Sequence, residues 1–410
     1  MDDFTRPPQR GERHTPQSHS ASTGFLTPEE VAAQDENLPA SSLPDAPTSG
    51  AHHKQPHWWH RLTKKQWIII GVVVALLLIG GGCAWWHHAH AKKSVTQAAA
   101  VKPQPKPASK VAPLTSTLTG LPISDVSVNQ KPVTAIMIEN STDARPQSGL
   151  DKAGVVFEAV AEGGITRFLT LWQDTSADYI GPVRSVRPYY IQWLMGFDAA
   201  VAHAGGSPEA LNDLKAWNVK DLDQFANGAY YQRISTRYAP HNLYTSLGQL
   251  QTLEAKKGIG APKYTGFARK PEQPSKNPTV KSIDFNISGY YYNVHYDYDA
   301  VTNTYKRSEG GKPHMTVDKS GAQTQIAPKV VVALTMPQGI ESDDLHTSYS
   351  TIGSGHMFVF QDGTLTEGTW SKTSSTAQFT FTDEKGATLK LDPGQTWITV
   401  VGSNDDVKHS

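Results

Sequence analysis

The sequence predicts an α+β protein: a mixed α/β ectodomain followed by a β-rich domain, carried on one transmembrane helix. Three observations lead there. A single long apolar run, "WIIIGVVVALLLIGGGCAWW" (67–86), has the length needed to cross a hydrocarbon core of roughly 30 Å. Between 117 and 270, β-rich runs alternate with helices that carry clear start and stop signals. From 280 to 402 the chain reads as strands and hairpin turns with hardly a helical period.

Residues 1–66 come first. Their Pro, Ser, Gln, Asp and His content leaves too little apolar surface to offset the entropy of ordering, so a disordered tail is expected. Arg61, Lys64 and Lys65 precede the 67–86 run, which places the N-terminus in the cytoplasm and the rest outside the cell membrane. Tryptophans 67, 85 and 86 suit the two interfaces. An uncleaved signal-anchor is favoured over a cleaved signal peptide, because 66 residues precede the run. Cys83 is the one cysteine, so no intrachain disulfide can form. Its "LLLIGGGC" context has Gly80 where a lipidation signal would differ. Residues 87–116 form a spacer whose "VKPQPKPASK" favours an extended polyproline conformation. His87, His88 and His90 lie here without a carboxylate or thiol beside them, and no metal or cofactor is expected.

In the 117–270 stretch, "VTAIMIEN" (133–140), "AGVVFEAV" (153–160), "RFLTLWQD" (167–174) and "DAAVAHAG" (198–205) read as strands. "SPEALNDLKAW" (207–217) reads as a helix, with Ser207 as N-cap, Pro208 at the first helical position, and Ala210, Leu211, Leu214 and Trp217 on the buried face. "SLGQLQTLEAKKG" (246–258) is a second helix, stopped by Gly258. In the 280–402 stretch, "YYYNVHYDYD" alternates, "VVVALTM" is a buried strand, "TWITVV" closes the β-rich part, and Asp362-Gly363 is a hairpin turn. His295, Asp297 and Asp299, with Arg307, Lys312 and His314, read as a solvent-facing hairpin laced by ion pairs.

Lys and Arg number 38 and Asp and Glu 38, so no nucleic-acid partner is expected. A local anion site is still open. Arg145, Arg167, Arg184, Arg187 and Arg237 stand beside Gly, Pro or Ser, where the backbone can turn and a guanidinium fork can meet phosphate or carboxylate. The competing reading pairs them with Glu139, Glu158, Glu162 and Asp198. His203, Gly205, Gly206 and Ser207 link a strand to a helix N-terminus, a second place for an anion. His241 joins them from a polar loop. Pro188 keeps Arg187 out of the α region, so one of Arg184 and Arg187 should face a cleft while the other pairs with Glu158 or Asp198. Ser207 lacks a nucleophile's context, and no catalytic residue is assigned.

The motifs "IENSTDARPQSGLDKAGVVFEAVAEGGITRF", "IGPVRSVRPYY", "HAGGSPEAL" and "YDYDAVTNTYKRSEGGKPH" resemble the YerB-like lipoproteins, envelope proteins of unknown molecular function. The resemblance spans about 120–402 and implies a two-part extracytoplasmic protein on a membrane anchor. The family usually has Asp where this chain has Gly154. The order of arginine loop, strand, Gly-Gly and helix is also similar to the LytR-CpsA-Psr phosphotransferases, which would make Arg167, Arg184 and Arg187 pyrophosphate ligands. Together these readings imply a membrane-anchored protein that takes an anionic envelope ligand or a partner protein.

Overall fold

The computed structural model describes residues 113–410. The tail, the 67–86 span and nearly all of the spacer lie outside the described residues. Among the described residues, no helix is long and apolar enough to cross a membrane. The described residues fall within one compact unit.

The strands predicted between 133 and 174 form three long elements: β1 (Thr134–Glu139), β2 (Val155–Glu162) and β3 (Ile165–Trp172). Helix α1 (Pro188–Met195) follows, then β4 (Ala200–Ala202), α2 (Pro208–Ala216), β5 (Lys220–Asp221) and α3 (Leu247–Lys256). The later part supplies β6 (Ser282–Phe285), β7 (Val294–Asp299), β8 (Thr304–Glu309), β9 (Lys312–Pro313) and β10 (Val330–Thr335). It ends with β11 (Gly353–Gln361), β12 (Thr364–Lys372), β13 (Thr380–Asp383), β14 (Thr396–Val401) and β15 (Val407–His409). Few helices and many strands bear out the α+β class at that level.

The two stretches share one sheet. Its ten strands run in the order β13-β12-β11-β10-β14-β2-β3-β1-β4-β5. Strand β14 pairs in parallel with β10 on one side and with β2 on the other. Strands β10, β14, β2, β1, β4 and β5 therefore all point the same way, with β3 antiparallel between β2 and β1. Every residue of β1, and of β14, is buried, which explains their continuous apolar runs.

Alternation along β2 sorts the two faces. Val155, Phe157 and Ala159 pack with Tyr190, Trp193 and Leu194 of α1 and with Ala210 and Leu214 of α2. Val156, with Phe168 and Trp397, packs against Leu247, Leu250 and Leu253 of α3. A five-stranded sheet, β9-β8-β7-β6-β15, covers the rest of that second face and buries Phe285, Tyr296 and Tyr305 against Val331, Phe358 and Phe360.

Helix α2 starts where its signals place it, with the Ser207 hydroxyl accepting from the Ala210 amide and Pro208 in the first turn. Trp217 differs from expectation. It sits at the C-cap and is only half-buried, because the helix ends one residue before it could turn the indole fully inward. Helix α1 has no counterpart in the sequence reading. The hairpin at Asp362-Gly363 has both residues at positive φ, 57° and 70°, as a tight two-residue turn requires. Gly154 is closely packed: a Cβ there would meet Leu118 Cδ2 and Thr119 Cγ2, each at 2.8 Å, so a larger residue requires those side chains to shift.

Candidate functional site: the arginine edge

Six strands pointing one way put the ends of β1, β2 and β4 along a single rim. In open sheets of this kind, ligands bind at that carboxyl rim. The rim carries Glu139 at the end of β1, Glu162 at the end of β2, Arg167 near the start of antiparallel β3, and His203 just past β4. The segment Pro182–Val186 runs extended between β1 and the loop after β4. Glu139 N–H donates to Pro182 O and Arg184 N–H to Met137 O, while Ala204 N–H donates to Arg184 O and Val186 N–H to Gly205 O. The GPVRSVR motif is thereby fixed at the rim.

The arginines divide sharply. Arg167 and Arg187 are buried and share one carboxylate, Glu162: Arg187 Nη2 lies 2.6 Å from Oε2, and Arg167 Nη2 bonds Oε1. Burial pushes the Glu162 carboxyl up, but the two guanidinium groups outweigh it and hold the carboxyl at about 2. Arg145 is also spent. Its Nε donates to Asn140 Oδ1, Nη1 to Tyr291 O, and Nη2 to Asn140 O, with Glu309 Oε1 at 3.2 Å. Arg237 donates to the carbonyls of Ala144 and Pro146.

Arg184 is different. Its Nε lies 3.4 Å from Glu139 Oε1 without hydrogen-bond geometry, and its two Nη groups bond none of the described residues. The side chain is 23% exposed, so the fork opens to solvent. Burial pushes its pKa down. Glu139 partly offsets this, while Arg167 and Arg233 push it down further. A guanidinium in that position gains if a further anion arrives.

The expected pairing is half met. One arginine of the GPVRSVR motif is structural and the other is free, but the acid that holds Arg187 is Glu162. Glu158 instead bonds Arg307, and Asp198 bonds Lys220. The His203 ring is fully buried, engaged by Gly205 O at 2.8 Å and Asp221 Oδ1 at 3.0 Å. Gly206 is there for packing: a Cβ would stand 3.0 Å from Val186 Cγ1. Gly205, at φ 70°, makes the turn that Ser207 then caps. His241 Nδ1 lies 2.9 Å from Glu139 Oε1, beside Arg184.

The sequence reading placed Arg307 and His314 on a solvent-facing hairpin, and the structure corrects this. Arg307 is wholly buried, donating to Glu158 Oε1 at 2.8 Å, Tyr296 Oη at 2.7 Å and His314 Nδ1 at 2.9 Å, with its guanidinium 4.5 Å from the Trp397 ring centre. The outer half of that hairpin does behave as expected, with Lys306 on Asp299 and His295 on Asp284 and Asp297. A cavity of about 530 Å³ opens over the buried network, lined by Arg145, Tyr291, Glu309, Lys312 and His314 among others. Burial raises the Glu309 carboxyl and lowers the His314 imidazole, so the cavity floor favours neutral forms.

Comparison with known proteins follows the same division of the chain. Residues 118–260 match the model described as the N-terminal domain of a protein of unknown function (DUF3048), and residues 283–398 match its C-terminal domain. A curated relative, "Putative lipoprotein YerB" of Bacillus subtilis (strain 168), is 30% identical over 300 residues, covering 71% of this chain and 87% of the relative. The crystal structure of YerB from Bacillus subtilis is similar with a TM-score of 0.63 at 29% identity, covering 72% of this chain and 99% of that one. The likeness to LytR-CpsA-Psr phosphotransferases finds no support in these matches, and Glu162, the acid beside Arg167 and Arg187, is committed to those two arginines. With both domain models matched in order and a relative aligned over most of its length, the chain belongs to the DUF3048 family of YerB-like proteins.

Proposed function

We propose that this is an extracytoplasmic binding protein, held at the cell membrane through residues 67–86, that captures a phosphate-bearing envelope ligand on the arginine rim. The observation that carries the reading is Arg184: a solvent-facing guanidinium, crowded by Arg167 and Arg233, whose Nη donors have no partner among the described residues. The lipoprotein name of the YerB relative agrees with an envelope address. Arg167, Arg187 and Glu162 form the rigid backing, and His241 and Arg233 flank the fork.

Calorimetric titration of residues 113–410 with pyrophosphate tests this. Arg184→Ala should weaken binding roughly ten- to a hundredfold, the worth of charge-assisted hydrogen bonds. Arg184→Lys should also weaken it, because the charge stays but the planar fork is lost. Lys312→Ala, at the separate cavity, should leave affinity unchanged. Absence of binding, or equal binding by Arg184→Ala, overturns the reading.

A further inference from the structure

Past β10 the chain makes a small hairpin, pairing Gln338–Ile340 with Thr347–Tyr349. Its turn is the sequence Glu-Ser-Asp-Asp-Leu-His, from Glu341 to His346. Asp343 Oδ1 accepts from the amides of Leu345 and His346, both at 3.0 Å, and Oδ2 accepts from His346 Nδ1. Asp344 takes a positive φ of 56°, which folds the turn back so that Glu341 N–H meets His346 O at 2.7 Å. One ligand atom each from Glu341, Asp343 and His346 then lies within 4.8 Å of the other two.

Glu341 is the unusual member. It is only 7% exposed, yet its Oε1 has no hydrogen-bond partner. A buried carboxylate oxygen left unpaired costs about 1–3 kcal/mol or more, so such atoms call for an explanation. Asp343 is exposed and His346 half-buried, so the cluster is open on one side. Arg187, whose charge acts on this carboxyl, is itself bound to Glu162.

From this geometry we propose that Glu341, Asp343 and His346 form a binding site for a divalent transition-metal ion of the zinc type. Two carboxylates and one imidazole match that ion's ligand preferences, and three protein ligands leave a fourth position open. Calcium would need six to eight oxygens, which this turn does not offer. An ion would give the buried Glu341 oxygen its missing partner. An ion held by His346 Nδ1 would replace that nitrogen's bond to Asp343, with the ring proton carried on Nε2.

The three ligands border the rim at the Glu162–His346 bridge but include none of its arginines, so separate variants and separate titrants test the two readings. The test uses residues 113–410, a unit with cores of its own, stripped by chelator and titrated calorimetrically with zinc chloride. One equivalent should bind, with Kd weakened at least tenfold in His346→Ala and in Glu341→Gln. His356→Ala, at a half-buried histidine paired with Glu367, should bind like the parent. Melting curves of the variants show whether they fold, and Asp343→Asn serves as a third variant if either does not. No zinc binding by the parent, or unchanged affinity in folded His346→Ala and Glu341→Gln, overturns the proposal.

Discussion

Arg184 and Arg307 are the same residue put to opposite uses, and the sequence signals them unequally. Arg184 was legible because Gly181, Pro182 and Pro188 announce an irregular, non-helical segment where a guanidinium can stand free. Arg307 was not. Tyr305, Arg307 and Glu309 share the inward face of β8, and two charges in three read as a solvent face. What makes that face an interior is Glu158, 149 positions away, and no local pattern reports a partner at such a distance. The ion pair has a testable cost. Arg307→Met strands the Glu158 carboxylate and should destabilise the protein by about 3–5 kcal/mol. Adding Glu158→Gln should recover part of that loss, because the pair rather than either charge is what the interior tolerates. Urea unfolding of the parent, single and double variants measures both effects. A loss in Arg307→Met within experimental error would mean that the network contributes nothing.

Among the elements, helices with a polar face were legible and the one without was not. Ser207-Pro208 and Ser246 mark the starts of α2 and α3, whose exposed positions complete the period. Helix α1 buries Tyr189, Tyr190, Ile191, Trp193 and Leu194 and carries no charged residue, so its eight residues offer no charged face to set against the apolar one. Its one signal is Pro188 at the first helical position. Helix α3 carries a pH dependence of its own. Glu254 is buried on it, accepts from Thr134 Oγ1 at 2.8 Å, and leaves Oε2 unpaired. Burial pushes its carboxyl up to about 7, above the unfolded value. The unfolded chain therefore loses this proton first as pH rises. The stability held below the unfolded pKa of 4.5 declines above it and is lost once pH has risen through 7. The loss should be about 2–3 kcal/mol between pH 5 and pH 8. Glu254→Gln should flatten that part of the stability profile, read from urea midpoints at several pH values. An unchanged profile would show that Glu254 ionises freely in the folded state.

At the scale of the molecule, β14 decides how the parts cohere. The sequence marked TWITVV as the strand that closes the β-rich part, but its neighbours, β10 and β2, come from the 280–402 and 117–270 stretches, and pairing across such separations leaves no local trace. Because one sheet holds both parts, residues 113–410 should unfold in a single cooperative transition. Tryptophan fluorescence and far-ultraviolet circular dichroism should report the same midpoint. Two separated midpoints would show that the parts melt independently. The shared sheet also has a mechanical side. The first described residues do not hang from an edge strand. Thr119 O accepts from Gly394 N–H just before β14, and Leu118 packs against Gly154, whose carbonyl accepts from Thr396 N–H. Tension arriving through the N-terminal chain would thus load the central strands β2 and β14, each held by partners on both sides. It would have to shear them rather than peel a rim strand away, and the end carrying Arg184 lies at the far side of the sheet from the pull.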